Sequence, residues 1–500
     1  MDLSTAYDLI LADLGSSISL VLVTLLGLVV VVWDALRPRH RWIAPVSGGL
    51  LLLLSLYEVT LLGAPTETAF FGMVRVGGFA AFVRFVILLA SGFTVVLSSG
   101  YLERIGHNLG EVYSLLLFAT SGMIVLGTAT NLVAVFVGLE TMSICLYVMA
   151  GLFRSDAGGA ESAIKYFVLG AFSTGFFLYG IALIYGASET MYLSEIGSGV
   201  AESGRDVMFW AGAALLLVGF LFKVAAVPFH MWTPDVYQGT PTTLTGYMAT
   251  ASKTAAFASL VLVLYYAMPD VRWTEGIAII AAITMILGNL VAVAQSNVKR
   301  LLGYSSIAHT GYVLVGLAAG TDAGYSGVLY YLLVYAVMNI GAFGVMALLE
   351  WDGDGGRSQT LDSLAGIGYR RPLLGVTMGF FMFSLSGFPP LGGFIGKYAV
   401  FAPAIASGLT WLVVIGVLTS AVSAYYYLRV LYVMWMRPAE EAPDRDRVSM
   451  ATFAVSRPAA AVLVACAAAL LVLGVYPGML DVTASFFAAD GVASLPVSSP

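Results

Sequence analysis

The chain has 500 residues, of which 59% are hydrophobic and 10% are charged, with a formal net charge of -6 at pH 7. A soluble domain carries about 25% charged residues, so this composition excludes an ordinary aqueous core and indicates a chain that lies in lipid. The cysteines, Cys145 and Cys466, lie in apolar runs and form no paired motif for a disulfide, a metal or a redox centre.

Apolar runs of the length that crosses a bilayer recur along the whole chain. The first follows three acidic residues and no basic one, so we interpret it as a retained span rather than a secretory signal. The runs predict an all-α integral membrane protein of about fourteen transmembrane helices, at 15–35, 42–62, 78–99, 111–128, 131–153, 162–186, 208–230, 240–267, 274–294, 301–320, 326–349, 372–402, 408–434 and 457–478.

The basic residues between the spans predict an orientation. Cytoplasmic loops of membrane proteins carry an excess of lysine and arginine, so the richer set of loops is expected inside and both termini outside. The predicted outer loops hold Arg75, Arg205 and Arg272. The predicted cytoplasmic loops hold Arg37, Arg39, Arg41, Arg104, Arg154, Lys299, Arg300, Arg357, Arg370, Arg371, Arg437, Arg445, Arg447 and Arg457.

Two recurring sequence features indicate an internal repeat. The string NLVAV occurs at 131–135 and again at 289–293, and prolines interrupt the seventh span (Pro228) and the twelfth span (Pro389, Pro390). A unit of five spans has the opposite membrane orientation when it repeats in tandem, so we predict two inverted five-helix repeats, spans 4–8 and 9–13, with broken helices 7 and 12. The expected domains are an N-terminal three-helix segment (1–110), the two repeats (111–267 and 274–434), and a C-terminal helix and tail (457–500).

Ionisable residues inside the spans are candidates for function. A charged side chain near the centre of a bilayer costs about 2.5–3.5 kcal/mol, so Glu140, Lys223, Lys253 and Lys397 need a reason to be there. Pro228 frees the carbonyl of Val224 beside Lys223, and the glycines and prolines before Lys397 forbid a regular helix, so both lysines are expected beside hydrated breaks. The alternative at each site is a purely structural role, in which the side chain is neutral or is held by bonds to its neighbours.

Other charged residues divide between relay and structural roles. Lys165 begins the sixth span, where it either takes part in proton transfer or extends its side chain to the lipid headgroups. His309, among hydroxyl donors, and His230, at the cytoplasmic end of the seventh span, either exchange protons or pack. We interpret Arg84 and Arg429 as structural, the former paired with a carboxylate, and Glu58 as interfacial.

Buried lysine and glutamate together indicate proton transfer. Desolvation disfavours the charged form of each, and a nearby opposite charge restores it. A row of such groups joined by water can pass protons by exchanging partners. We therefore predict a proton path in which Glu140 and Lys223 form a switch pair and protons continue to Lys253 and Lys397.

Four segments carry a family resemblance that covers nearly the whole chain: NLVAVFVGLETMSICLYVMAG, LFKVAAVPFHMWTPDVYQGTPT, QSNVKRLLGYSSIAHTGY and SLSGFPPLGGFIGK. They resemble the antiporter-like membrane subunits of respiratory complex I and of multisubunit cation/proton antiporters. Within that family the chain is most similar to a complex I subunit of fourteen spans. It lacks the long lateral helix of the largest homologue and carries Lys397 where a sister subunit typically has a glutamate.

The resemblance implies a proton-translocating subunit of an NADH:quinone oxidoreductase in the bacterial plasma membrane. By resemblance the relay comprises Glu140, Lys165, Lys223, Lys253 and Lys397, with His309 in addition. The family implies that flavin, iron–sulfur clusters and quinone bind partner subunits, that this chain holds no cofactor, and that its partners are other membrane-arm subunits and lipid, with no nucleic acid.

Three alternatives remain open at this point. The first is a subunit of a sodium/proton antiporter complex, which shares the same motifs. The second is a solute carrier that works alone, and the third is a passive membrane scaffold.

Overall fold

A computed structural model describes residues 12–38, 40–105, 110–152, 157–268, 271–350, 359–438 and 455–488. Within these ranges, thirteen helices are long and apolar enough to cross a membrane, and two shorter apolar helices, Pro372–Ser386 and Gly392–Ala406, follow each other directly. The two short helices together make one broken span. The predicted all-α fold of fourteen spans is therefore confirmed.

The helices are numbered here by the span that they form, with a and b for the halves of a broken span. They are α1 (Ile18–Leu36), α2 (Ile43–Thr60), α3 (Gly78–Arg104), α4 (Gly110–Thr128), α5 (Leu132–Ala150), α6 (Ala157–Ser188), α7a (Asp206–Val224), α7b (Trp232–Gly239), α8 (Thr242–Leu262), α9 (Thr274–Val293), α10 (Val298–Ala318), α11 (Asp322–Leu349), α12a (Pro372–Ser386), α12b (Gly392–Ala406), α13 (Thr410–Met436) and α14 (Arg457–Val475).

The two ends of the helix bundle differ in their connections. One end, called the hairpin end, carries the antiparallel strands β1 (Glu67–Ala69) and β2 (Val74–Val76), with Thr68 opposite Arg75. The opposite end, where α3 and α13 finish and α10 and α14 begin, is called the basic end. Among the basic residues behind the predicted orientation, Arg39, Arg154, Arg357, Arg445 and Arg447 lie outside the described residues, as do both chain termini, so the orientation stays a prediction.

Helix 7 is broken, as predicted, but it is longer than predicted. The first half ends at Val224 because Ala225 takes the left-handed conformation (φ 63°), and the chain resumes as α7b and reaches Gly239 at the basic end. The predicted boundary at residue 230 is therefore wrong. His230 lies in the break between the two halves and not at the end of the span. The apolar pattern missed α7b because its Thr, Asp and Gln residues resemble a loop.

Helix 12 is broken at Gly387, which adopts a φ of +86° that only glycine takes readily. A Cβ added there would lie 3.0 Å from the Nζ of Lys397, so the position needs glycine for space as well as for conformation. The break brings the carbonyl ends of α12a close to the first turns of α12b. The predicted irregularity at SGFPPLGG is confirmed.

Helix starts support the predicted repeat. Asn131 caps α5 by accepting the Val133 N–H, and Asn297 caps α10 by accepting the Arg300 N–H. Each cap also forms an isolated bridge to the connection that follows the next helix, at Tyr192 and Thr360 respectively. The structural counterpart of Asn131 is thus Asn297. The repeated NLVAV string does not mark equivalent positions, because Asn289 lies inside α9. The domain boundaries stay a prediction, which these matched caps support.

The centre of the bundle is built around α8. Every residue of α8 is buried, since α4, α3 and α11 pack against it and small residues dominate its sequence. α10 and α11 are buried almost as completely. Most side chains of these three helices therefore meet only protein, and Lys253 lies in the interior, away from lipid.

Candidate functional site

Lys223 lies in the last turn of α7a and is 3% exposed. Its Nζ donates hydrogen bonds to Ser143 Oγ on α5 (2.9 Å) and to Tyr166 OH on α6 (3.2 Å). Both acceptors are neutral, and the Nζ also lies 5.8 Å from the ring centroid of Tyr147 and 5.4 Å from that of Tyr166. A cavity of about 10 Å³ adjoins these groups and also touches Ser173 and Thr174. Its volume suits about one water molecule.

Glu140 and Lys223 form no direct ion pair in this structure, although their charges interact, so the predicted switch pair stays a prediction. The carboxylate of Glu140 is half-buried and accepts a hydrogen bond from Thr174 Oγ1 on α6 (2.8 Å). Ser143, three residues further along α5, occupies the position beside Lys223. The sequence placed both groups at similar depth but carried no information about which residue of α5 faces α7a.

Lys253 lies in the middle of α8 and is 2% exposed. Its Nζ donates to three oxygens of α10: Ser306 O (2.8 Å), Ser306 Oγ (2.6 Å) and Thr310 Oγ1 (2.8 Å). Thr310 Oγ1 in turn donates to Val224 O at the break in helix 7 (2.6 Å). Val224 O, the carbonyl that Pro228 was predicted to free, thus accepts a hydrogen bond from the same Thr310 hydroxyl that accepts one from Lys253.

His309 lies in α10 between the two bonding partners of Lys253, and four tyrosines surround it: Tyr312, Tyr331, Tyr335 and Tyr427. Its Nδ1 is 2.7 Å from Tyr331 OH and its Nε2 is 3.1 Å from Tyr427 OH. Tyr427 OH also bonds to Ser305 Oγ, and Tyr335 OH donates to Ser306 Oγ (2.7 Å). Imidazole and phenol groups therefore form a buried hydrogen-bonded cluster next to Lys253.

Lys397 lies in α12b, and its side chain reaches back to the break. Its Nζ donates to Leu385 O (3.2 Å), Ser386 O (2.9 Å) and Ser420 Oγ (2.6 Å), and it lies 5.0 Å from the ring centroid of Tyr312. The last carbonyls of a helix lack intrahelical partners and carry partial negative charge, so they hold an ammonium group well.

Together, Lys223, Lys253 and Lys397 are called the lysine row. Among the described residues, no carboxylate oxygen lies within 4.0 Å of the Nζ of any of these three lysines. Two of them lie at helix breaks, and the third is tied to one of those breaks through Thr310. The tertiary structure therefore brings together three predicted site residues and the His309 cluster.

Lys165 lies apart from the row, near the basic end. It is 40% exposed in its side chain and pairs with Glu161 and Asp235, both at 2.6 Å, while Arg300 also pairs with Asp235 (2.6 Å). The structure thus places Lys165 in a partly exposed ion-pair network near the basic end. Its predicted relay role stays a prediction. No cluster of three or more potential metal ligands lies within the described ranges.

Several buried ionisable groups were missed or misplaced by the sequence patterns, among them Arg75, which was assigned to an outer loop and is 1% exposed. Lys299, assigned to a loop, is 2% exposed because the cap at Asn297 starts α10 before it, and its Nζ donates to Thr240 O (2.7 Å). Glu58, interpreted as interfacial, is fully buried 3.6 Å from Arg84. Glu350 is 6% exposed and ends the apolar run of α11, a signal that could have identified it.

Comparisons with known proteins agree with this architecture. A family model described as NADH:quinone oxidoreductase/Mrp antiporter, TM matches residues 129–423. NADH-quinone oxidoreductase subunit N of Salinibacter ruber is 58% identical over 501 residues, which cover 99% of this chain and 100% of that protein.

Solved structures extend the comparison to the fold. A chain of respiratory complex I from Thermus thermophilus with bound aureothin is 36% identical with a TM-score of 0.80, and the match covers 93% of this chain and 99% of that one. A chain of the Mrp complex from Dietzia sp. DQ12-45-1b has a TM-score of 0.81 at 19% identity, which shows a shared fold alone. On the strength of the match to Salinibacter ruber, the chain belongs to the NADH-quinone oxidoreductase subunit N family.

Proposed function

We propose that this chain is a proton-translocating membrane subunit of an NADH-quinone oxidoreductase, in which redox chemistry in partner subunits drives protons through the lysine row. The observation that carries the proposal is the placement of three buried lysines on neutral oxygens, with Thr310 linking Lys253 to the break beside Lys223. Intramembrane ionisable residues of this kind mark proton pathways by default.

The chemistry follows from the bonding of each ammonium group. Neutral hydroxyls and carbonyls stabilise a charged lysine less than a carboxylate does, so each lysine can exchange its proton with a modest rearrangement of its partners. A proton that arrives on one lysine repels the proton on the next, because charges in a low-dielectric interior interact strongly. Sequential repulsion then moves protons from Lys223 and Lys253 towards the His309 cluster and Lys397.

The setting is proposed from the charges and from the family. We assign the basic end to the cytoplasm and the hairpin end to the outer face of the bacterial plasma membrane. Flavin, iron–sulfur clusters and quinone are expected in partner subunits. The half-buried Glu140, on the outside of this chain, suits contact with a neighbouring membrane-arm subunit, whose movement would alter its charge environment.

The test replaces Lys253 with alanine in the whole complex. In inverted membrane vesicles, the initial rate of NADH-driven lumen acidification is expected to fall by about 100-fold or more, the contribution of a positioned proton-transfer group. NADH oxidation by ferricyanide, which uses partner subunits, should be unchanged. Normal acidification by the Lys253→Ala complex would refute the proposal. Co-purification with small antiporter subunits, in place of flavin and iron–sulfur subunits, would favour the sodium/proton antiporter alternative.

A further inference from the structure

The outer side of α13 carries an open groove close to the basic end. Its volume is about 580 Å³, within the range of about 300–1,000 Å³ that is usual for small-molecule sites. Tyr425, Leu428, Tyr432 and Met436 line it, and each is between 45% and 73% exposed. Their spacing of three or four residues puts them on one side of the helix. This feature is called the α13 groove.

Two arginines also line the α13 groove. Arg437, just after the end of α13, is held by Asp362, with 2.5 Å between Nη1 and Oδ1. Arg429 is half-buried, and among the described residues it forms no ion pair and a single hydrogen bond, from Nη1 to Val293 O at 3.4 Å. A guanidinium group has five N–H donors, so Arg429 keeps donors that can bind an anion.

The guanidinium group of Arg429 lies at the depth where a neighbouring helix ends. Val293 is the last residue of α9, and α10 begins at Val298 on the basic end. An arginine near a membrane surface extends its charged head to the lipid headgroups and leaves its stem among the acyl chains. Tyr425 and Tyr432 flank Arg429 on this side of α13, and tyrosine is typical of the membrane–water interface. The α13 groove therefore extends from the acyl-chain region to the headgroup region.

Positive charge predominates around the α13 groove. The ring of Tyr369 packs against Trp435 of α13 with 5.3 Å between their centroids, which places the one-turn helix Ile367–Arg370 beside the end of α13. Arg370, the last residue of that helix, is exposed, and Arg371 follows it. Among the described residues that these contacts bring together, arginines outnumber the single carboxylate of Asp362. The surroundings of the groove therefore attract an anion.

An anionic phospholipid matches both the charge and the shape of the α13 groove. Its phosphate carries the negative charge that a guanidinium group binds through two parallel N–H donors. Its acyl chains match the apolar and aromatic side chains that line the groove below the arginines. A protein neighbour would instead have to place a carboxylate beside Arg429, which removes two charges from water at a considerable cost. Basic pockets at this level of membrane proteins bind anionic headgroups.

We propose that the α13 groove binds an anionic phospholipid of the leaflet at the basic end. The phosphate lies against Arg429 and Arg437, and an acyl chain follows Leu428 and Tyr425 towards the middle of the bilayer. The lipid is bound by charge and by the shape of the groove, and it takes no part in proton transfer. The proposal can therefore fail while the proposed function stands.

The opposite side of α13 supplies two contacts to the proton-transfer residues. Ser420 Oγ accepts a hydrogen bond from Lys397 Nζ (2.6 Å), and Tyr427 OH lies 3.1 Å from His309 Nε2. A helix turns about 100° per residue, so both residues face away from the α13 groove. The bound lipid thus packs against the outer side of the helix whose inner side holds Lys397 and His309.

The first experiment identifies the occupant by photo-crosslinking. A benzoylphenylalanine residue replaces Leu428 in the intact complex, which is placed in nanodiscs of phosphatidylcholine with a minor share of phosphatidylglycerol. The matched control carries the same residue in place of Val414, which is 51% exposed on the same side of α13, about 21 Å nearer the hairpin end. We expect phosphatidylglycerol adducts at position 428 in excess over the share of this lipid in the disc. Adducts at position 414 should follow that share.

The second experiment adds arginine variants to the protein that carries benzoylphenylalanine at position 428. Arg429→Gln removes one charge, and the excess of phosphatidylglycerol adducts should fall by about fivefold, the contribution of one basic residue near an anionic headgroup. Arg429→Lys keeps the charge and should retain most of the excess. Arg205→Gln changes a 49% exposed arginine near the hairpin end and should leave the excess unchanged. The yield of assembled complex is measured for each variant and should be equal, since all the changes are at the surface of the chain.

Ionic strength gives an independent check of the charge interaction. The distance over which charges act shortens from about 10 Å at 0.1 M salt to about 3 Å at 1 M, so the excess at position 428 should decline as salt is added. Adducts with a neighbouring subunit in place of lipid would overturn the proposal. Equal enrichment at positions 428 and 414, or an excess that neither Arg429→Gln nor salt lowers, would also overturn it.

Discussion

Thr310 is the hydroxyl on which the link between Lys253 and the break in helix 7 depends, so Thr310→Val is the most informative single substitution. It removes the bond from Lys253 Nζ (2.8 Å) and the bond to Val224 O (2.6 Å). A hydrogen bond to a charged group contributes about 1.5–3 kcal/mol, and a buried carbonyl left unbonded costs about 1–3 kcal/mol. If about 2 kcal/mol of this lost stabilisation raises the barrier to proton transfer, the rate of proton pumping falls roughly 30-fold.

The assay is the initial rate of NADH-driven acidification in inverted vesicles, with the melting temperature of the purified complex measured in parallel. Thr310→Ser keeps the hydroxyl and should retain near-normal pumping. Thr254→Val, one residue from Lys253, removes a hydroxyl bonded only to Thr250 O of its own helix (3.0 Å) and should also pump normally. Equal loss in all three variants, or normal pumping by Thr310→Val, would refute the reasoning.

Three further predictions test the breaks, the caps and the buried ion pair. Gly387→Ala should lower the acidification rate, because a Cβ would lie 3.0 Å from Lys397 Nζ and the left-handed backbone costs about 1–2 kcal/mol; normal pumping would contradict this. Asn297→Ala should destabilise the start of α10 by about 1 kcal/mol, measured by thermal unfolding against Asn297→Asp, which keeps the cap. Arg84→Ala leaves Glu58 buried and unpaired, which destabilises the protein by about 3–5 kcal/mol and should lower the yield of assembled complex. The double variant Arg84→Leu with Glu58→Leu should restore the yield. Equal yields from the two variants would argue against the pair.

The helix breaks explain why lysine can be used inside the bilayer at all. A continuous helix satisfies its own carbonyls and offers a buried ammonium group few acceptors, whereas a break exposes carbonyls at membrane depth. Lys397 bonds directly to two such carbonyls, and Lys253 reaches one through Thr310. The breaks and the lysines therefore act together. Gly387 and the left-handed Ala225 interrupt the helices and expose carbonyls, and hydroxyl groups supply the remaining acceptors for the ammonium groups.

Several features of the site were predictable because they depend on local sequence. Pro228 and the glycines near Gly387 interrupt helices whatever surrounds them, so the two breaks and the freed carbonyl of Val224 were predicted correctly. Lys223, Lys253 and Lys397 were identified because charge inside an apolar run is costly in any fold. By the same logic α7b was missed, since a short amphipathic half-helix resembles a loop when its partners are unknown.

The partners of each charge required the tertiary structure. A helix turns about 100° per residue, so depth in the membrane can be read from hydropathy but the direction of a side chain depends on how helices pack. For that reason Glu140 was paired with Lys223 by depth, while packing gives Lys223 to Ser143 and turns Glu140 to Thr174.

The sequence by itself determined that this chain has fourteen spans, two of them broken, with lysines inside them, because transfer into lipid acts on each segment separately. Only the tertiary structure decided that Lys253 meets Ser306 and Thr310, that Lys299 and Glu58 are buried, and that α7b packs against α10. These contacts join segments distant in sequence, and their geometry follows from close packing of side chains that no single segment specifies.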